Sequence, residues 1–259
     1  MSFALITGAS KGIGKAMAYE FASKKKNILL VARSENLLSE ISKDICKKYN
    51  VDVYYLAIDL AEENAAKKVK QWCFDNIYTV DVLVNNAGYG LSGSFEKYTY
   101  KEYQAMMQVN MNVPLQLIQE FLPSLKENKQ SYILNIASAA AYQAVPGLNV
   151  YAGTKSFILS MSRSLSFELR NTNISVTCVS PGATESDFAN RANVTGEKAL
   201  KMAEKVNMKP EAVAKFAIKA MYAKKTEAIP GFLNRATTFF VWLLPKKISE
   251  KMAADIYDL

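Results

Sequence analysis

The sequence predicts a single α/β domain in which a parallel sheet of about seven strands is covered by helices on both faces. Short runs of aliphatic and β-branched residues alternate with longer segments of helical period, which is typical of a doubly wound parallel sheet. The 259 residues could form one large core or two small ones. No Pro-, Gly- or Ser-rich linker interrupts the alternation, so we expect one domain spanning 1–259.

The predicted strands are short apolar runs bounded by turn-forming residues. They cover residues 3–7, 27–32, 52–57, 80–84, 131–136, 174–179 and, more weakly, 227–230. The predicted helices have apolar residues three and four positions apart, as at Ile158, Met161, Leu165 and Leu169. They cover residues 13–23, 36–49, 62–74, 100–119 and 151–171, and Pro210 opens another.

The charge balance is basic but does not indicate a nucleic-acid partner. Lys and Arg number 32 against 24 Asp and Glu, a formal net charge of +8. The basic residues form short clusters, mostly on predicted helix surfaces, at 24–26, 47–48, 67–68, 224–225 and 246–247. The sequence has neither a basic arm nor a basic stripe with interleaved aromatic residues. We therefore expect no nucleic-acid partner.

Composition also narrows the chemistry and the compartment. The chain has no histidine, which excludes a histidine base, a Ser-His-Asp triad and a histidine-bound metal, and no metal site is expected. Cys46, Cys73 and Cys178 lie far apart without a C-x-x-C pair, as packing residues of a reducing cytoplasm do. No leader precedes the first strand, and no apolar run reaches the ~20 residues of a membrane span. A cytoplasmic location is expected.

A glycine-rich turn directly follows the first strand and precedes a helix. It reads Thr-Gly-Ala-Ser-Lys-Gly-Ile-Gly over residues 7–14. Glycines permit a tight turn and close approach of a pyrophosphate, and the helix N-terminus offers N–H groups and a partial positive charge. The spacing differs from the general G-x-G-x-x-G fingerprint, so the turn by itself is also compatible with a plain turn and helix cap.

Further short motifs follow in order along the chain. Asp-Leu at 59–60, Asn-Asn-Ala-Gly at 85–88, Asn110, Ser138, Tyr151-x-x-x-Lys155 and Pro-Gly at 181–182 each stand beside a predicted strand or in a helix. With the glycine turn, this ordered set resembles the short-chain dehydrogenase/reductase family over nearly the whole chain. The resemblance implies a Rossmann-type fold, a nicotinamide cofactor and hydride transfer at a C=O or CH–OH carbon.

The resemblance also implies which residues contact the cofactor. Asp59 and Leu60 would contact the adenine ring, residues 86–88 would lie along the ribose, and Thr184 would bond the carboxamide or the pyrophosphate. The expected cofactor-binding residues are Gly8, Ser10, Lys11, Gly12, Ile13, Gly14, Arg33, Asp59, Leu60, Asn86, Ala87, Gly88, Tyr151, Lys155, Pro181, Gly182 and Thr184.

The end of the second predicted strand favours NADP over NAD. NAD enzymes usually place an acidic residue there, about 20 residues after the glycines, to bind the ribose hydroxyls. This chain has Val-Ala-Arg-Ser at 31–34. Arg33 could bind a 2′-phosphate through charge-assisted hydrogen bonds, and Lys11 could add a second cation. The alternative is that both are ordinary solvated surface cations.

Tyr151 and Lys155 are one helical turn apart and share a helix face. A phenol has a pKa of about 10, and a neighbouring ammonium favours its anion, so Tyr151 is the expected acid/base and Lys155 the group that tunes it. Ser138 is expected to hydrogen-bond the same substrate oxygen. Asn110, by resemblance, would hold a water that links Lys155 to solvent. The family often reads Tyr-x-Ala-Ser-Lys, whereas Gly153 and Thr154 precede the lysine here.

The expected substrate pocket is more apolar than charged. Its candidate segments are 89–95, 139–148 and 184–188, with Tyr142, Val145, Leu148 and Phe188 in the wall. Residues 185–209 are a candidate lid. The apolar extension 232–259 is similar to tails of the broad-specificity branch related to steroid and 3-ketoacyl reductases. It could pack on the body or a second subunit, cover the pocket, or contact a membrane peripherally.

The sequence therefore predicts an NADPH-dependent oxidoreductase of small carbonyl or alcohol compounds that forms a homodimer or homotetramer. A long-chain 3-ketoacyl or steroid-type reductase is the alternative within that class. A non-catalytic NADP-responsive binding protein is the alternative in another class, although a sensor has no chemical need of Ser138, Tyr151 and Lys155 together.

Overall fold

Seven parallel strands form one sheet in the order β3-β2-β1-β4-β5-β6-β7. The computed structural model describes residues 1–185, 188–194, 196, 198 and 207–256. The strands are β1 (Ser2–Thr7), β2 (Asn27–Ala32), β3 (Val53–Ala57), β4 (Thr79–Asn85), β5 (Ser131–Ile136), β6 (Ile174–Val179) and β7 (Glu227–Ala228). This confirms the predicted doubly wound α/β fold with a seven-stranded parallel sheet.

Helices connect the strands and cover the sheet. Within the described residues they are α1 (Gly12–Ser23), α2 (Glu35–Tyr49), α3 (Ala65–Asp75), α4 (Tyr100–Met107), α5 (Val113–Glu127), α6 (Asn149–Glu168), α7 (Phe188–Arg191), α8 (Pro210–Tyr222), α9 (Phe232–Leu243) and α10 (Lys246–Ile256).

Alternate residues of the central strands point into two separate cores. In β1, Ala4 and Ile6 pack with Phe21 of α1 on one face, whereas Leu5 packs with Phe121 of α5 on the other. Because side chains alternate along a strand, a strand buried on both faces must be apolar throughout. This is why the strands could be recognised as continuous apolar runs.

The predicted helix 100–119 is wrong in two respects: a π-helical turn at Gln108–Asn112 separates α4 from α5, and α5 continues to Glu127. Pro114 stands at the start of α5. Proline has no N–H, so residue 114 cannot donate the usual α-helical bond to the carbonyl of Asn110. The extra residue of the π turn accommodates this defect, and it places Asn110 in the interior.

Two other predicted boundaries need correction. The helix predicted at 62–74 begins at Ala65, because Asn64 has a left-handed backbone with φ of 59°. The last strand is only Glu227–Ala228 and pairs with the end of β6. It lies at the edge of the sheet, where short strands are common.

The candidate lid, residues 185–209, lies partly outside the described residues. Its described part contains α7, and a parallel bridge joins Thr184 to Met208. The apolar extension forms α9 and α10, whose inner residues, such as Val241 and Ala253, are buried against the body. Among the described residues, no helix combines the length and hydropathy needed to cross a bilayer.

Candidate active site

The sheet order brings the segments after β1, β4, β5 and β6 side by side at the carboxyl edge. The chain reverses its winding direction between β1 and β4, and ligands of open α/β sheets bind at such a switch point. The predicted motifs at 7–14, 85–88, 138 and 181–182 all follow these four strands.

Glycine is required at the turn after β1. Gly8 and Gly12 have φ of 67° and 54°, in the left-handed region that side chains disfavour. A Cβ added to Gly14 would clash with the carbonyl oxygen of Gly8. The turn therefore packs tightly against the first turn of α1 and leaves the backbone open to a ligand, which fits a dinucleotide pyrophosphate.

Thr7 and Asn86 join this turn to the segment after β4. The Thr7 hydroxyl oxygen accepts hydrogen bonds from the backbone N–H groups of Asn86 and Ala87, at 3.0 and 3.1 Å. Asn86 Nδ2 donates to the carbonyl of Thr7 at 2.9 Å. Thr7 is thus a positioning residue to which the sequence motif alone assigned no role.

A cavity of about 690 Å³ runs along this edge. All the predicted cofactor-binding residues line it except Gly14, and Ser138 lines it as well. Gly14 and Asn110 instead lie behind its wall.

Arg33 lies at one end of the cavity with its side chain 63% exposed. Its Nη1 is 3.8 Å from Asp59 Oδ2, and Asp59 Oδ1 accepts from the backbone N–H of Ala61. Lys11 precedes α1 and lines the same cavity. Two cations therefore lie near the glycine turn, which fits a ligand with phosphate groups at this end.

Lys155 is buried at the other end of the cavity. Its Nζ donates to the carbonyl of Ile136 at 2.9 Å and lies 5.8 Å from the ring centre of Tyr151. Burial lowers the pKa of Lys155 to about 8, because the charged ammonium loses its hydration. A Cβ at Gly88 would lie 3.3 Å from this Nζ, so glycine there keeps the lysine accessible.

Tyr151 and Ser138 face the cavity close to Lys155. Tyr151 is buried in the first turn of α6, and its ring centre lies 5.2 Å from that of Phe188. Ser138 caps the short 3-10 helix Ala139–Tyr142, where its Oγ accepts from the Ala140 N–H at 3.1 Å. This bond leaves the hydroxyl proton available to a ligand oxygen.

The Asn110 side chain is committed to protein hydrogen bonds. Its Nδ2 donates to Tyr89 O at 2.9 Å and to Thr154 Oγ1 at 3.1 Å, while its Oδ1 accepts from the Tyr89 N–H. Asn110 therefore fixes the segment after β4 against α6. Thr154, which replaces the serine frequent in the family, is one of its partners.

The four predicted wall residues line the cavity, but most of the predicted segment 89–95 does not. Tyr142, Val145, Leu148 and Phe188 line it. Of the predicted segment 89–95 only Tyr89 does, because the chain turns away after it and Ser92 N–H bonds the carbonyl of Ala192. Residues 186 and 187 lie outside the described part of the chain.

Tyr142 makes a long-range contact that the sequence did not indicate. Its Oη donates to Glu227 Oε1 at 2.6 Å and lies 3.3 Å from Ser180 Oγ. Burial and the neighbouring carboxylate raise the pKa of Tyr142 above its usual range. The phenol is thus a neutral donor to β7, and its ring contributes to the wall.

The C-terminal helices also line the cavity, through Thr237, Thr238, Val241, Ala253 and Ile256. The sequence left open whether the extension packs on the body, covers the pocket or contacts a membrane. Its inner face does both of the first two.

Substituting Gly14 with alanine is expected to lower the free energy of unfolding by about 1–3 kcal/mol, because the added Cβ overpacks the turn. Gly153→Ala is the matched control. Apart from its chain neighbours and the backbone of its own helix, no described atom lies within 4 Å of a Cβ built at Gly153. Alanine at this position should therefore stabilise α6 by about 0.5–1 kcal/mol. Urea denaturation of both variants measures this. Equal effects would contradict the close approach at Gly14.

Comparison with known proteins identifies the family. The short chain dehydrogenase family model matches residues 2–197, and the chain belongs to this family of oxidoreductases, which act on alcohol and carbonyl groups. The 7beta-hydroxysteroid dehydrogenase of Clostridium sardiniense is 28% identical over 255 residues, covering 98% of this chain and 91% of the relative.

Solved structures show the same fold. A short-chain dehydrogenase from Sphingobium yanoikuyae in complex with NADPH superposes with a TM-score of 0.81 at 25% identity, covering 95% of this chain and 96% of the other. One from Burkholderia phymatum in complex with NAD superposes with a TM-score of 0.83 at 21% identity, covering 92% and 91%. The second likeness concerns the fold alone.

Proposed function

We propose that this protein is an NADPH-dependent oxidoreductase that interconverts an apolar ketone or aldehyde with its alcohol. One observation carries the proposal. A single cavity is lined both by the glycine turn and Arg33, which follow β1 and β2, and by Ser138, Tyr151 and Lys155, which lie beside the end of β5. Bound NADPH would supply the hydride, and the protein must then supply cofactor binding, substrate orientation and a proton.

The preference for NADP rests on charge. Arg33 and Lys11 line the cavity beside the glycine turn, where a 2′-phosphate adds negative charge that NAD lacks. Asp59 accompanies Arg33 at 3.8 Å, but it lies beyond β3 and not at the end of β2, where an NAD enzyme presents its acid. The NADPH complex of the Sphingobium relative agrees with this preference.

Tyr151 is the proposed acid and base. In the reducing direction its hydroxyl protonates the carbonyl oxygen, and in the oxidising direction its oxygen takes the hydroxyl proton. Ser138 donates a hydrogen bond to the same substrate oxygen and orients the carbonyl. The Lys155 ammonium, 5.8 Å from the Tyr151 ring centre, stabilises the negative charge that forms on the phenol oxygen.

A proton relay through Asn110 would have to use its backbone carbonyl. The side-chain amide is already engaged with Tyr89 and Thr154. The carbonyl cannot accept from residue 114, which is proline. We propose that this carbonyl and Lys155 Nζ bind a water that returns the proton to Tyr151.

The substrate is proposed to be apolar and bulky. Val145, Leu148, Phe188 and Val241 line the inner cavity, and apolar walls with few polar groups favour apolar ligands. Steroid-type ketones are the second candidate, because the match to the hydroxysteroid dehydrogenase includes the C-terminal extension. A 3-ketoacyl substrate and a non-catalytic NADP-binding role are the remaining alternatives.

We also propose a cytoplasmic homodimer or homotetramer. Cys46, Cys73 and Cys178 are free thiols, and burial raises the pKa of Cys73 to about 12. Unpaired, unreactive thiols suit a reducing compartment. Symmetric homo-oligomers are the commonest assemblies of soluble enzymes, and analytical ultracentrifugation measures the stoichiometry.

Two steps in one cuvette test the proposed function. NADPH and NADH are titrated while cofactor fluorescence is recorded, and oxidation is then followed with apolar ketones, aldehydes, steroid ketones and 3-ketoacyl thioesters. We expect tighter NADPH binding and turnover of the bulky ketones. Binding without turnover of any compound would favour the sensor role, and no binding of either cofactor by the folded protein would overturn the proposal.

Arg33→Ala should weaken NADPH binding by tenfold or more and leave NADH binding nearly unchanged. Charge-assisted hydrogen bonds contribute about 1.5–3 kcal/mol, and 1.4 kcal/mol corresponds to about tenfold. Lys15→Ala is the control, because Lys15 is an exposed cation of α1 that does not line the cavity. Equal losses for NADPH and NADH would contradict a 2′-phosphate contact.

A further inference from the structure

Helices α9 and α10 have two different faces. Thr238 and Val241 of α9 and Ser249 and Ala253 of α10 are buried, and all but Ser249 line the cavity. The inner face therefore has a clear structural role. The outer face must be explained separately.

The outer face of α9 consists almost entirely of large apolar side chains. Their exposed fractions are Phe232 82%, Leu233 63%, Phe239 57%, Phe240 57%, Trp242 72% and Leu243 62%. At 100° per residue five of these six fall on the half of the helix opposite Val241, and Leu233 lies at the edge of that half. In α10, Ile248 and Met252 are also exposed, one turn apart.

This concentration is unusual for the surface of a globular protein. Eight of the seventeen large apolar side chains exposed among the described residues lie within 232–256. Single exposed apolar residues are normal, whereas a contiguous patch marks a docking surface. Three of the rings are in contact, with the ring centre of Phe239 5.9 Å from that of Phe240 and 6.1 Å from that of Trp242.

Exposed cations accompany the apolar patch. Arg235 lies on the outer half of α9, and Lys247 and Lys251 are exposed on the side of α10 opposite Ser249 and Ala253. Lys246 is also exposed, but it lines a groove against the body. The acidic groups of the two helices are Glu250, half-buried, and Asp255. The surface is thus positive, in a chain whose formal net charge is +8.

We infer that the outer face of α9, with the exposed lysines of α10, docks onto an anionic lipid bilayer. A helix with Trp, Phe and Leu on one face and nearby Lys and Arg lies in the plane of the interface, with its apolar side chains among the acyl chains. The lysines then lie near the anionic headgroups, which attract them. A second copy of this chain fits less well, because its like charges would repel these cations.

Docking in this orientation places the cavity next to the lipid. Thr238 and Val241 line the cavity from the same helix whose opposite side meets the bilayer. If the proposed function holds, an apolar ketone dissolved in the bilayer is separated from the cavity by α9. The docking itself does not depend on that function.

Vesicle flotation of the purified full-length protein tests the inference. The probes are vesicles of phosphatidylcholine alone and of phosphatidylcholine mixed with phosphatidylglycerol. We expect binding to the mixed vesicles, weakened by added salt, because screening reduces the attraction between lysines and headgroups. Absence of binding to the mixed vesicles would overturn the inference.

Substitutions separate the apolar and charged contributions. The pair Phe240→Gln and Trp242→Gln should lower vesicle affinity at least about tenfold. Phe74→Gln should not, although Phe74 is as exposed, at 73%, on α3. The pair Lys247→Gln and Lys251→Gln should also weaken binding about tenfold, unlike Lys47→Gln with Lys48→Gln on α2.

Trp242 gives a readout that needs no change in the docking face. The chain has two tryptophans, and in Trp72→Phe only Trp242 remains. Insertion should shift its emission to shorter wavelength and allow quenching by brominated lipids. An unchanged spectrum, or sedimentation showing that the Phe240 and Trp242 substitutions dissociate a dimer, would assign this face to a subunit interface and overturn bilayer docking.

Discussion

Replacing Tyr151 with phenylalanine is expected to lower turnover by about 10²- to 10⁴-fold, the usual contribution of a positioned acid or base. The substitution removes the hydroxyl and keeps the ring, which packs 5.2 Å from that of Phe188. Because this ring contact is kept, the variant should stay folded and still bind NADPH. Steady-state NADPH oxidation, cofactor titration and urea denaturation measure the three quantities.

Tyr142→Phe is the matched control for this experiment. Tyr142 also lines the cavity, and its hydroxyl is bonded to Glu227 and Ser180, away from the proposed proton transfer. Its loss should cost stability, about 1–3 kcal/mol for a buried bond to a charged group, and change turnover much less. If the two variants lost activity equally, Tyr151 would not be the acid and base.

Replacing Lys155 with methionine should abolish most turnover, by at least about 10²-fold, without destabilising the protein at neutral pH. Burial lowers the lysine pKa to about 8 from an ordinary 10.5, so the ammonium destabilises the fold when it is charged. Methionine removes that penalty and loses the hydrogen bond to Ile136. We expect the free energy of unfolding at neutral pH to rise by about 1–2 kcal/mol.

The gain in the free energy of unfolding of Lys155→Met over wild type should depend on pH. Between a pKa of about 8 in the folded protein and 10.5 in the unfolded chain, the unfolded chain binds more protons, so wild-type stability rises with pH. Below a pH of about 8 Lys155 is charged in the folded protein and in the unfolded chain, so the full cost of burying the ammonium lowers wild-type stability. The difference between wild type and Lys155→Met should therefore shrink as the pH is raised from about 8 to 10.5, as urea denaturation across this range measures.

Lys26→Met is expected to have the opposite effect on the free energy of unfolding. Lys26 Nζ donates to Asp81 Oδ2 at 2.6 Å and to Ser2 Oγ at 2.8 Å, so its removal leaves a half-buried carboxylate unpaired and should lower stability. A Lys155→Met variant that loses stability as Lys26→Met does would contradict the cost assigned to burying the Lys155 ammonium.

The local features of the fold could be predicted from sequence because they depend on local patterns. Continuous apolar runs identify strands buried on both faces, as in β1 with Ile6 and Leu5 in opposite cores. Parallel strands bring their carboxyl ends to one edge, so motifs distant in sequence, such as 7–14 and Ser138, could be expected together.

Features that depend on long-range contacts could not be predicted in this way. The bond from Tyr142 to Glu227 joins residues 85 positions apart, and no periodicity reports it. Pro114 was the sequence signal for the π turn at Asn110. The helical period continues beyond the proline, however, so the pattern predicted one uninterrupted helix. The two faces of α9 required knowing which side packs, because apolar residues surround the helix.

Isotope labelling follows the proposed hydride transfer from NADPH to a carbonyl carbon in the cavity beside Tyr151. The most direct test uses NADPH deuterated at the transferable position and the best ketone of the panel, with mass spectrometry of the product. We predict one deuterium on the carbinol carbon with the wild-type protein and far less product with Tyr151→Phe. NADPH binding without deuterium in any product would contradict hydride transfer to a carbonyl compound in this cavity.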